Sequence, residues 1–424
     1  MGLFSTKGNF DFKNPPNEYG EVAFFWWQGD DITKEKLLWI LNQLKDKHIC
    51  GLQINYCHGN SGGLSFGLTM KSNPRPFSEE WWELLGWFIS ECKKYNIAVS
   101  LSDYTLASPG QGYFMDEVLK KHPEMLGQCL IMRDGKVVIE KRDNSINPMA
   151  QGVGDAYIEE FYAQFERRFP GECGKGINYF FSDELQFNVR GALWCDDFQE
   201  EFLRRKGYDI TEKWEAIFQD IGNETPKIRL DYYDVIVQLS EERFFKKIYD
   251  WHEMRGMTFG CDHGGRGTDI TEFGDYFRTM KWNQGPGSDQ PYLESNIIKA
   301  KCAASIAHMY QRKRVWLEGF YGSGWATGCD DVIDATFRNF ALGYNLLSLH
   351  GLYYSTHGSM WEWAPPCNHY HMPYWQQMGS FLECSKRLSY LLAQGTHCCD
   401  VAVIYPVAAA EADDVQGQQA CVIR

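Results

Sequence analysis

A short apolar run followed by an amphipathic helix recurs eight times along this chain, and few folds can absorb such a repeat. Residues 22–27 (VAFFWW) open it, and a helix follows over 33–47, whose Leu37, Leu38, Ile40, Leu41 and Leu44 fall at helical spacing. Residues 50–56 form the second strand, followed by a glycine-rich HGNSGG stretch and a helix over 78–95. The third strand is 97–101. The fourth, 177–182 (INYFFS), runs into Asp183-Glu184, and the fifth spans 257–261 after a long helix over 227–255. The sixth is placed within 277–282. The seventh, 315–317, ends in Glu318, and the eighth, 345–349, ends in His350. Helices over 154–168, 295–311, 330–342 and 374–392 separate or follow these runs. The pattern predicts a (β/α)8 TIM barrel, with inserts after strands three and four. An open doubly wound sheet is the alternative, but no GxGxxG or GxxxxGK[ST] follows any strand.

The insert after strand three carries CLIMRDGKVVIEK, a β-hairpin turning at Asp134-Gly135. Residues 1–399 are assigned to the barrel. Residues 401–405 form an apolar strand before Pro406 and an acidic tail, so 400–424 read as the start of a further β domain. At 424 residues, length alone does not demand a second domain.

Charge narrows the partners. A net charge of −14 and a pI near 5.3 disfavour nucleic acid and anionic membranes, and a polyanionic substrate as well. No apolar run reaches membrane-spanning length. The start, MGLFSTKGNF, lacks the basic and apolar regions of a signal peptide. The 14 cysteines include no CxxC, and Cys50, Cys92, Cys261 and Cys302 lie inside apolar runs. A reduced, cytoplasmic protein is therefore expected. Composition carries no signal for oligomeric state.

In such a barrel the chemistry sits where strands end, so polar residues that close apolar runs are the candidates. Four places qualify: Asp183-Glu184, Asp262-His263, Glu318 and His350. Strand alternation puts Glu184 with Ser182 and Phe180 on one face, and Asp183 with Phe181 and Tyr179 on the other. Glu184 and Glu318 both follow bulky apolar residues, which raise a carboxyl pKa by desolvation. At strands four and seven they face each other across the mouth, as hydrolysis of a glycosidic bond requires. Asp183, Asp262, His263, His350, Tyr353, Trp325 and Trp361 are expected to hold a sugar, the aromatics by stacking on its apolar faces. Asp289 and Glu294 are the candidate Ca2+ contacts, and no cofactor is required by the chemistry. His369-x-His371 lacks partners at zinc spacing. No histidine is singled out to serve a cysteine nucleophile.

The order INYFFSDELQ, DDFQEEFLRRKGYDI, ERFFKKIYDWHEMRGM, IKAKCAASIAHMYQRKRVWLEGF and NLLSLHGLYYS resembles the catalytic barrel of the glycoside hydrolase family 106 α-L-rhamnosidases. The likeness covers roughly residues 20–406. It implies a barrel that inverts configuration, with carboxylates after strand four and in the E-G/A-F segment, which fall on Glu184 and Glu318. It also implies Ca2+ near the sugar, and extra β domains that this chain does not show. The adjacent Asp183-Glu184 departs from the family's wider spacing and bears on substrate identity. The expectation is an inverting glycosidase acting on a neutral or deoxy sugar. Glu184 would protonate the leaving oxygen and Glu318 would activate water, with exchange of the two roles open. A retaining enzyme on the same pair and a non-catalytic carbohydrate-binding barrel or fragment are the rivals.

Overall fold

A computed structural model describes residues 10–27, 30–55, 73–102, 113–185, 187, 191–356 and 365–413. Eight parallel strands follow one another around a barrel: β1 (Glu21–Trp26), β2 (Ile49–Asn55), β3 (Ala98–Ser102), β4 (Ile177–Leu185), β5 (Thr258–His263), β6 (Gly287–Gln290), β7 (Trp316–Gly319) and β8 (Leu346–Tyr353). Neighbours in space are neighbours in the repeat, and β8 pairs back onto β1. The seam between β5 and β6 closes where the Gly285 amide donates to the Phe259 carbonyl at 3.0 Å. The strands are burial-driven. β1 and β8 are buried at every residue, as strands covered on both faces must be.

Alternation sorts the side chains. Ala23, Phe25, Val99, Leu101, Phe180, Leu317, Leu347 and Leu349 pack outward against the helices. Val22, Phe24, Trp26, Tyr179, Phe181, Trp316 and Leu346 fill the lumen, so the barrel is a packed core below its mouth. Glycine is demanded at the seam. A Cβ on Gly260 would stand 2.2 Å from the Gly285 carbonyl oxygen and 3.2 Å from the Trp316 ring. Gly260→Ala is therefore expected to destabilise by at least about 2 kcal/mol through overpacking, read as a lower urea midpoint with an unchanged slope.

The helices begin where short polar side chains satisfy their free amides. Thr33 and Ser78 cap the helices Lys34–Leu44 and Glu79–Lys93. The two inserts make one structure. Strands Leu126–Arg133 and Lys136–Ile146 form the expected hairpin, its turn carried by Asp134 and Gly135 at positive φ. Ala192–Trp194, from the insert after β4, adds a third antiparallel strand. Leu130, Trp194, Phe198, Phe202 and Tyr232 pack beneath this sheet as a core of their own.

One expectation fails. The sixth strand is not within 277–282: that stretch holds the helix Tyr276–Met280, capped by Asp275. Its Tyr276 and Met280, four residues apart, pack together on Cys302 and Ile306. The true β6, Gly-Ser-Asp-Gln, has no apolar residue to announce it, and is buried because Tyr344 satisfies Ser288 and Gln290. Residues 401–405 join no ladder among the described residues, and Val403 and Ile404 are 85% and 89% exposed. Among the described residues no helix is long and apolar enough to cross a membrane.

Candidate active site

At the C-terminal ends the lumen changes from apolar to polar. Following the inward phase of each strand, the top layer receives Trp26, Asn55, Ser102, Asp183, Asp262, Asp289, Glu318 and His350, one from each strand. Glu318 stands two residues beyond the lumen residue Trp316, and Asp183 two beyond Phe181. Strict alternation therefore aims Asp183 inward and Glu184 outward. The chain overrides this for Glu184. The β4–β5 register shifts between Ser182 and Leu185, and Glu184 adopts φ +51°, a left-handed conformation unfavourable for a side chain of its size. Its amide donates to Asp262 Oδ1 at 3.0 Å, and its carboxylate pairs with Arg266 Nη2. A backbone outlier held by a buried carboxylate points to function.

Arg266 organises the mouth. Its side chain is 17% exposed and its Nε stands 2.5 Å from Asp289 Oδ1 and 3.3 Å from Asp262 Oδ2. Lys299 Nζ donates to Asp289 Oδ1 at 2.8 Å, and the Tyr321 hydroxyl donates to Asp289 Oδ2 at 2.8 Å. Five carboxyl groups thus surround two cations. Glu318 is 4% exposed, and its Oε2 has no hydrogen-bond partner among the described residues. Burial first, and then Asp289 and Asp262, hold its carboxyl well above the ordinary range, against the opposing pull of Arg266 and Lys299. Asp262 is pushed up by the same cause, burial, with Asp289 and Asp183 adding to it. A buried carboxyl whose protonated form is favoured, beside an arginine-paired carboxylate, can supply an acid and a base in one site.

His350 joins the layer. Its Nε2 accepts from the Trp26 indole at 3.1 Å, and burial draws its pKa down to about 3, so it is neutral. Other expected sugar contacts lie elsewhere. His263 follows the outward phase of β5 and is enclosed by Phe245, Phe273 and Tyr276, away from the mouth. Tyr353 is fully buried in the lumen cluster and offers no open ring face. Trp325, 36% exposed on the loop after β7, keeps an accessible indole. Trp361 lies outside the described residues.

Neither Ca2+ candidate has a free coordinating arrangement. Asp289 is committed to Lys299, Arg266 and Tyr321, and Glu294 is exposed beyond β6. Among the described residues no group of three or more His, Cys, Asp or Glu side chains is arranged to hold a metal.

Arg266, Lys299 and Tyr321 went unassigned in the sequence, although Arg266 lies only three residues beyond the Asp262-His263 pair. The partners of His369 and His371 were also missed. Glu21 Oε1 lies 3.0 Å from His369 Nε2, and Cys367 Sγ lies 3.2 Å from His371 Nδ1. Burial would push the Cys367 thiol up, but His369 and His371 outweigh it and draw it down to about 6. Cys367 is sealed from solvent, and the His369–Glu21 contact ties the loop after β8 to β1.

Comparison with known proteins agrees with the barrel fold. Among solved structures, a rhamnosidase from Novosphingobium sp. PP1Y superposes with a TM-score of 0.66 at 12% identity, over 91% of this chain and 60% of that one, which shows a shared fold. A protein of Formosa agariphila, provisionally named a beta-glucuronidase, is 22% identical over 301 residues. That match takes in 65% of this chain but only 25% of the relative, so the chain spans about a quarter of the curated protein it resembles. The model of the glycoside hydrolase family 106 α-L-rhamnosidases matches residues 145–418, more than half of the chain and all of the strands that carry the carboxylates. With Glu184 and Glu318 both inside that match, the chain belongs to glycoside hydrolase family 106.

Proposed function

We propose that this barrel hydrolyses the glycosidic bond of a terminal neutral or deoxy sugar of the α-L-rhamnoside type, with Glu318 as general acid and Glu184 as general base. The carrying observation is Glu318 Oε2, buried at the mouth without a partner among the described residues, on a carboxyl whose surroundings favour its neutral form. A neutral carboxylic acid there can give its proton to the leaving oxygen. The permanent charge of Arg266 favours the carboxylate of Glu184, which takes a proton from the attacking water. This exchanges the roles first expected from the sequence. Inversion follows from the family resemblance: one displacement by water, with the proton of Glu318 leaving on the aglycone and the water proton passing to Glu184. Asp183, Asp262, His350 and Trp325 would hold the sugar.

A uronic acid, as the name of the Formosa relative implies for that protein, is less well served here. The two cations among the described mouth residues, Arg266 and Lys299, are already matched by Glu184, Asp262 and Asp289. On a panel of 4-nitrophenyl glycosides, the α-L-rhamnoside is expected to be cleaved fastest, with the opposite anomer appearing first by NMR. Preference for the β-D-glucuronide would move the substrate to acidic sugars. A first-formed sugar of retained configuration would replace the water-activating role of Glu184 with that of a nucleophile.

A further inference from the structure

The turn that carries Arg266 is pinned on both sides, and one of the pins comes from beyond the barrel. On the N-terminal side, the Gly264 amide donates to the Leu185 carbonyl at 3.2 Å, and the Gly265 amide donates to both oxygens of Glu272 at 3.1 and 3.0 Å. Arg266 itself has φ +47°, a conformation that persists in a long side chain only where its neighbours enforce it. Gly267 follows at φ +79°, packed so closely that a Cβ would stand 2.7 Å from Cys302 Cβ. The Gly267 carbonyl accepts a hydrogen bond of 2.9 Å from the hydroxyl of Tyr405.

Tyr405 lies 138 residues along the chain from that glycine. The residues just before it, Val403 and Ile404, project into solvent, whereas its ring packs against Phe277, tilted by 38° with centroids 4.4 Å apart. The helix Val407–Asp413 then ties the segment down. Ala410 and Glu411 are buried, and Arg229 Nη1 donates to the Ala412 carbonyl at 3.3 Å. The segment is thus anchored by the Tyr405 ring and by the helix that follows it.

We propose that Tyr405 is a positioning residue for catalysis: its hydroxyl fixes the Gly267 carbonyl, and with it the Arg266 guanidinium that orients Glu184. The inference rests on the reading of Glu184 and Glu318 as the reacting pair. It makes the stretch after the barrel part of the catalytic apparatus, although no atom of that stretch need touch the sugar.

Tyr405→Phe keeps the ring contact with Phe277 and removes only the hydroxyl. Loss of that one hydrogen bond is expected to lower kcat on the aryl glycoside by about 3- to 10-fold with KM little changed. The acidic limb of the pH profile should move to higher pH, because a less firmly paired Glu184 takes up a proton more readily. Amide exchange at residues 264–267 should quicken. Tyr405→Leu, which also loses the ring contact, should show all three effects more strongly. An unmoved acidic limb with kcat lowered equally at every pH would make Tyr405 merely structural and overturn the proposal. Unchanged exchange at 264–267 would overturn it even if no substrate is found. A wild type that cleaves no glycoside while Tyr405→Phe still loosens the turn would sink the catalytic reading instead.

Discussion

Glu318→Gln should lower kcat/KM on a substrate with a poor leaving group by about 10²- to 10⁴-fold, the range that a positioned general acid supplies. The amide fits the same space, so the protein should stay folded. It should also gain stability at alkaline pH, and the sign follows from linkage. The folded-state carboxyl is held above its unfolded value by burial and by Asp289 and Asp262. The folded protein therefore binds a proton that the unfolded chain has released, and stability falls as pH rises from the unfolded carboxyl value through the folded one. Glutamine has no proton to lose and escapes that fall. A melting-temperature difference between variant and wild type that grows from pH 5 to pH 8 is the expected result. A variant less stable than the wild type at pH 8 would mean that Glu318 is ionised in the folded protein and unsuited to the acid's role.

Arg266→Met should be the most damaging single change at the mouth. It leaves Glu184 and Asp262 without their counter-charge and Asp289 with Lys299 alone. Breaking a buried ion pair by removing one partner costs about 3–5 kcal/mol, because the stranded charge stays desolvated. Chemical denaturation should show that loss. Activity should fall further than stability explains, since Glu184 loses the group that orients it. Lowering the pH should recover part of the stability as the stranded carboxylates protonate, but none of the activity. Arg266→Lys retains a charge without the fork and should fall between the two. A fully active Arg266→Met protein would remove Arg266, and with it the Glu184 ion pair, from the mechanism.

The sequence carried the fold because seven apolar runs at barrel spacing have few other uses, and seven of the eight strands lie where apolar periodicity puts them. β6 was hidden by its chemistry. Gly-Ser-Asp-Gln is buried through the hydroxyl of Tyr344 and the charges around Asp289, neither of which leaves a hydrophobic trace. Glu318 was legible because its strand is regular and its phase is inherited from Trp316. Glu184 was named as a strand-end acid, but alternation alone would aim Asp183 inward, and only the left-handed residue at the end of β4 brings Glu184 to Arg266. His263 misled for the converse reason. It adjoins Asp262, and on a regular strand an adjacent residue must point the other way. The roles of Arg266, Lys299 and Tyr405 depend on contacts between distant parts of the chain, which spacing along a sequence does not encode.

The most direct test of the acid–base assignment is the leaving-group dependence of kcat/KM for Glu318→Gln and Glu184→Gln on aryl α-L-rhamnosides. A 2,4-dinitrophenyl group departs without protonation. The account predicts that Glu318→Gln stays close to wild type on it while collapsing on a phenyl or alkyl rhamnoside. Glu184→Gln should lose a similar factor on all of them. The reverse pattern, with Glu184→Gln spared on the activated substrate and Glu318→Gln uniformly slow, would contradict the assignment and return the proton-donating role to Glu184.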